Sequence, residues 1–141
     1  MPTFDHNRLK ALEGKFGTSF PAHFLRSLSE REPISQGGVA FIANDVVWDV
    51  RTTFGLDGSR TGASQLDRVY DLVGDVMPPG ALPFAEDWGG NFYCLMITGP
   101  AAGRVVYWDH ERELGDHHVD LVAHSLDEFF SGLVPDPGSG G

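Results

Sequence analysis

The sequence predicts an α+β fold: two N-terminal helices, a largely antiparallel sheet, one inserted helix and a C-terminal helix. Three observations carry this. The N-terminal segment holds apolar side chains at helical spacing, with no long β-branched run. From Val39 onward, short segments rich in β-branched and aromatic residues are joined by brief turns, which makes neighbouring strands antiparallel. Helical periodicity then returns once between strands and once at the end, so helices and strands do not alternate regularly.

"FDHNRLKALEGKFG" is the first helix, with Phe4, Leu9, Leu12 and Phe16 along one face, Thr3 as N-cap and Gly17 as stop. "FPAHFLRSLSERE" is the second: Pro21 suits the first turn, and Phe24, Leu25 and Leu28 form its buried stripe. Pro33 ends it. "VAFIA" and "DVVWDVRTTFGL" are strands, and "DGSRTGAS" is a loop. "QLDRVYDLVGDV" places Leu66, Val69, Tyr70 and Val73 on one helical face before Gly74. "NFYCLMI" is apolar on both faces and is therefore a central strand. "GPAAG" turns the chain into "RVVYWDHE", and "VDLVAH" is the last strand. Ser125 caps "LDEFFSGLV", whose Asp127 and Glu128 favour a helix N-terminus. No repeat or internal linker is visible. A single domain over residues 1–134 is expected, with 135–141 ("PDPGSGG") a flexible tail.

The chain has 141 residues, 41% of them hydrophobic and 21% charged, enough for one domain with a true core. No apolar run reaches membrane-spanning length. "MPTFDHNRLK" lacks the apolar centre of a signal peptide, so a cytoplasmic location is expected. The single cysteine, Cys94, allows no intrachain disulfide and reads as a small core residue rather than a reactive thiol. The net charge of −10 is uneven: residues 45–141 carry five basic and sixteen acidic side chains, a balance of −11. That excess repels nucleic acid and anionic lipid. It keeps the chain soluble, and it also suits a basic partner.

"MPPGALPFAEDWGGNFYCLMITG" is the most distinctive stretch. Pro78 and Pro79 force an extended exit from the preceding helix. Gly80 allows a φ closed to other residues. Leu82, Pro83 and Phe84 plug the core. Gly89 and Gly90 supply positive φ or close backbone approach, and Asn91 bonds the turn backbone. The segment thereby sets Glu86, Asp87 and Trp88 at a sheet end beside solvent. A phosphate cradle would lead into a helix and often carry a lysine; this one leads into a strand, lacks lysine and follows two carboxylates. Glu86 and Asp87 are adjacent on an extended chain, so they point apart rather than converging for acid–base work.

"WDHERELGDHHVD" gathers His110, His117 and His118 with Asp109, Glu111, Glu113, Asp116 and Asp120. Its spacing matches neither a helical two-histidine motif nor a Cys/His finger. It reads first as a charged connection between strands; a metal site there is the alternative. His6, His23 and His124 are scattered as solvated or satisfied residues. Ser27, Ser29 and Ser125 lack a nucleophile-elbow context. Trp48 and Trp108 belong to the core. Trp88 is either an exposed interface anchor or a ring packed over the turn.

The chain resembles the SUKH superfamily of Smi/Knr-like domains. "LKALEGKFGTSFP" is similar to the family's helix–turn–proline opening, with Glu13 before the turn and Pro21 after it. "PPGALPFAEDWGGNFYCL" resembles its most distinctive segment at Pro78, Pro79, Gly80, Leu82, Pro83, Phe84, Ala85, Asp87, Gly89, Gly90 and Asn91. "GRVVYWDHE" and "LVAHSLDEFFSGL" resemble the strand that follows and the closing strand and helix. One departure is "ISQGGVAFI", which lacks the asparagine of the family's Asn-Gly-Gly-type turn.

The resemblance implies helices packed around a largely antiparallel sheet, and a bacterial immunity protein that binds and neutralises a cognate protein toxin, often a nuclease, without catalysis or cofactor. A eukaryotic branch of the family acts as an interaction hub. With the acidic balance, it makes Glu86, Asp87, Trp88, Asp109, Glu111, Glu113 and Asp116 the expected toxin-facing residues, and the toxin basic. Neither direct nucleic-acid binding nor membrane association is expected. Two other readings stay open: a non-inhibitory scaffold or regulatory module, and a small metal-dependent hydrolase using the His110–His118 loop.

Overall fold

A computed structural model describes residues 5–30, 38–56, 65–109 and 119–135, with backbone alone for 27–30. The fold is α+β, as expected. Helix α1 (His6–Phe16) is capped by Asp5, not Thr3: the Asp5 carboxylate accepts from the amides of Asn7 (2.9 Å) and Arg8 (3.2 Å). Aspartate is at least as good a cap as threonine; Thr3 and Phe4 lie outside the described residues. Gly17 ends the helix in the left-handed region, as predicted. Glu13 reaches across the following turn and accepts from the Phe20 amide at 2.6 Å, joining α1 to α2 (Ala22–Glu30). Pro33 lies outside the described residues.

The strands β1 (Val39–Ala43) and β2 (Val46–Val50) form a hairpin closed by Asn44 and Asp45, both at positive φ. Such two-residue turns match the natural twist of paired strands. After β3 (Thr52–Thr53) and α3 (Leu66–Val73) come β4 (Ala81–Glu86), β5 (Phe92–Met96), β6 (Val105–Trp108) and β7 (Asp120–Ala123). Helix α4 (Leu126–Ser131) and β8 (Leu133–Pro135) complete the order.

The antiparallel strands divide into two sheets, β2-β1-β8 and β3-β4-β5-β6-β7, where the sequence suggested one. The chain changes sheets at Arg51, whose amide donates to the Glu86 carbonyl at 2.9 Å while β2 stays paired with β1. NFYCLMI supplies the central strand of the larger sheet, as its two-sided apolar pattern requires.

Two elements were not anticipated. The core plug ALPFAE is a strand, β4, disguised by Pro83. The ladder register shifts between Pro83 and Ala85, so the proline occupies an irregularity of the kind that tolerates a missing N–H. Phe84, the extra residue there, turns its ring onto Phe129 and Phe130 of α4. The terminal helix stops at Ser131 instead of continuing to Val134; Leu133–Pro135 pairs with β1. Pro135, placed in the tail by sequence, is thus the last residue of β8, and 136–141 lie outside the described residues.

Phe129 is fully buried and touches the rings of Phe41 from the small sheet, Phe84 and Tyr93 from the large one, and Phe130 beside it. It therefore ties α4 to both sheets. On β5, Tyr93 and Phe92 point to opposite faces. Tyr93 meets Trp48 and Tyr107, while Phe92 meets Phe54 and stacks on Trp108. Away from the sheets, α3 is held to α1 by the Arg8–Asp67 ion pair (3.1 Å) and by Lys15–Asp71.

Candidate functional site

The β4–β5 hairpin tip is built around Asp87. One carboxylate oxygen accepts from the amides of Gly89 (2.9 Å) and Asn91 (2.8 Å). The other accepts from the Tyr107 hydroxyl at 2.6 Å and, weakly, from the Asn91 side-chain amide at 3.5 Å. The backbone closes the same loop: Asp87 N–H donates to the Asn91 carbonyl and Gly90 N–H to the Asp87 carbonyl. Gly90 takes φ 82°, the positive value expected at this turn, whereas Gly89 serves by close approach, since a Cβ there would stand 3.2 Å from Asn91 Nδ2. A short acceptor side chain that binds the amides two and four residues ahead is an efficient local turn device.

The side chain seen to bond the turn backbone is that of Asp87, a role that the sequence reading did not give it. Asp87 is also buried, at 7% exposure, with both oxygens engaged, so it holds the turn and offers little to a partner. Burial and the Asp87 carboxylate push the Tyr107 hydroxyl well above its ordinary pKa, with Asp109 adding a smaller charge effect. The Cys94 thiol is likewise raised by burial, as expected of an inert core cysteine.

What the turn presents outward is Trp88. It is 58% exposed, the largest exposed apolar group at this end of the sheet among the described residues. Its backbone amide donates to Asp49 of β2 at 3.1 Å, and the Arg51 guanidinium lies over its ring, 5.6 Å from the centroid. Arg51 in turn pairs with Glu86 at 2.9 Å. Tyr93 donates its hydroxyl to the Asp49 carbonyl at 2.7 Å, so the backbone beneath the tryptophan is fixed as well. The ring thus projects from a rigid frame.

Of the residues singled out in sequence, the structure brings Glu86, Asp87 and Trp88 together on one turn. Asp109 joins them at the same sheet end, because Trp108 stands opposite Phe92 in the ladder. Glu111, Glu113 and Asp116 lie outside the described residues, as do His110, His117 and His118. Among the described residues no group of three or more His, Cys, Asp or Glu side chains converges on one point. His124 is exposed beside Glu128, whereas His23 carries a buried Nε2 without a hydrogen-bond partner, contrary to its expected solvated or satisfied state. The roles of Asp49, Arg51 and Tyr107 were not legible in sequence, since they depend on contacts between distant strands. No helix among the described residues is long and apolar enough to cross a membrane.

A family model described as SMI1 / KNR4 family (SUKH-1) matches residues 3–132. The chain belongs to this family. The SMI1/KNR4 match spans the described helices and seven of the eight described strands, and includes the Asp87 turn. A similar protein is the "SPbeta prophage-derived uncharacterized protein YokK" of Bacillus subtilis (strain 168), 32% identical over 89 residues. That stretch covers 63% of this chain and 45% of the relative, so the chain matches less than half the length of its SMI1/KNR4 relative.

Proposed function

We propose that this chain is a non-catalytic binding protein that neutralises a basic protein toxin by occupying its surface. The observation that carries the reading is Trp88: a large ring held out from a turn whose every support is internal. Tryptophan and arginine are both enriched among the few residues that carry most of the binding energy at protein interfaces. Membership of the SMI1/KNR4 family and a balance of −11 over residues 45–141 support the same reading. Encounter is steered by charge, and slow release comes from burial of the tryptophan.

The test is co-expression with the product of the adjacent open reading frame. A stoichiometric complex and rescue of growth are expected. Trp88→Ala is expected to weaken the complex by about 2 kcal/mol or more while leaving the melting temperature within a degree or two. Neither complex nor rescue would end the proposal.

A further inference from the structure

Among the described residues the small sheet is apolar on both sides, and its outer side carries three exposed aliphatic side chains. Its inner face is fixed by Phe41 and Trp48, which stand opposite each other in register; Phe41 packs on Phe129, Trp48 on Tyr93 and Tyr107. Strand alternation then sends Ile42, Val47 and Val134 to the outer face. These three are 45%, 45% and 41% exposed. A half-buried antiparallel strand normally shows polar residues to water. Here the solvent side of three adjacent strands carries branched aliphatic groups, with Asp49 beside them. Because the Asp49 carboxylate accepts from the Trp88 amide, the tryptophan stands at the border of this same face.

We infer that the outer face of β2-β1-β8, with Trp88 at its margin, is the docking surface for a protein partner whose apolar centre is ringed by lysine and arginine. Charge decides the occupant. Strands β1, β2 and β8 contain no Lys or Arg. Among the described residues the neighbouring ionic groups are Asp45 and Asp49, with Glu86 and Arg51 paired to each other. A second copy of this chain would bring the same carboxylates into contact, and the net charge of −10 opposes such pairing. A basic protein meets both halves of the surface, aliphatic centre and acidic border. The inference rests on the binding function proposed above and adds the location of the site.

The test uses the full chain and the product of the adjacent open reading frame, titrated calorimetrically. Ile42→Lys and Val47→Lys each place a like charge against the basic partner, and each is expected to weaken binding at least about tenfold. Leu121→Lys, at an exposed position of β7, is the control and is expected to change binding less than about twofold. Hydrogen exchange in the wild-type complex gives a readout independent of any variant's folding: amides of 39–50 and 133–135 are expected to gain protection. Wild-type binding that is indifferent to both face variants, or that leaves these amides unprotected, overturns the surface and leaves the function standing. No wild-type binding removes the function and the surface together. A dimer of the free chain that Val47→Lys dissolves would assign the face to a second copy and overturn the inference.

Discussion

Gly80 stands at φ 83°, and a Cβ built on it would lie 2.4 Å from Thr98 Oγ1 and 3.0 Å from the Thr98 carbonyl. Both the conformation and the space exclude a side chain. Its carbonyl also accepts from the Ile97 amide at 2.7 Å, which starts the β4–β5 pairing. Gly80→Ala is therefore expected to cost about 2 kcal/mol or more, seen as a lower urea midpoint with an unchanged slope. Tyr107 makes a prediction of a different kind. Its hydroxyl keeps its proton in the fold well above the ordinary value of 10.0. Below that value both states hold the proton and stability is unaffected. Above it the unfolded chain loses the proton first, so stability falls as pH rises. Urea melts between pH 8 and 11 are expected to show this decline, and Tyr107→Phe should flatten it. The acidic turn residues were visible in sequence as a group, yet the difference between buried Asp87 and exposed Trp88 was not. It depends on Tyr107 approaching from a strand twenty residues away.

At the scale of elements, helix α4 illustrates how much is local. Ser125 accepts from the Glu128 amide at 3.0 Å, and the Glu128 carboxylate accepts from the His124 amide at 3.2 Å. The Ser125 cap was legible in "HSLDE" because a cap needs only neighbours. Ser125→Ala is expected to lower stability by about 1 kcal/mol, measured in the same melts. The end of α4 was not legible. Nothing local stops a helix at "SGLV" as firmly as the pairing of Leu133, Val134 and Pro135 with β1. Strand β4 was hidden for the complementary reason: Pro83 argues against a strand by local rules, and only the bulge beside it removes the objection.

For the whole molecule, the surplus of carboxylates sets how it meets other proteins. The association rate with a basic partner is expected to fall as salt rises from 50 to 300 mM, by about tenfold or more, with little change in dissociation. Stopped-flow mixing measures both. A rate indifferent to salt would remove charge steering from the proposed function while leaving the apolar surface to be judged separately.

Legible in the residues alone were the helices, six of the eight described strands or their containing runs, the α+β class, the resemblance borne out by the SMI1/KNR4 match, and the Asp87–Asn91 turn as the distinctive feature. These follow from periodicity, capping and turn chemistry, which act over a few residues. Three outcomes needed the folded chain: that the strands divide at Arg51 into two sheets, that Asp87 is spent inside its turn, and that Ile42, Val47 and Val134 keep exposed side chains. Those outcomes depend on which distant strand each backbone and side chain meets. A valine with a covered side looks the same in sequence as one without.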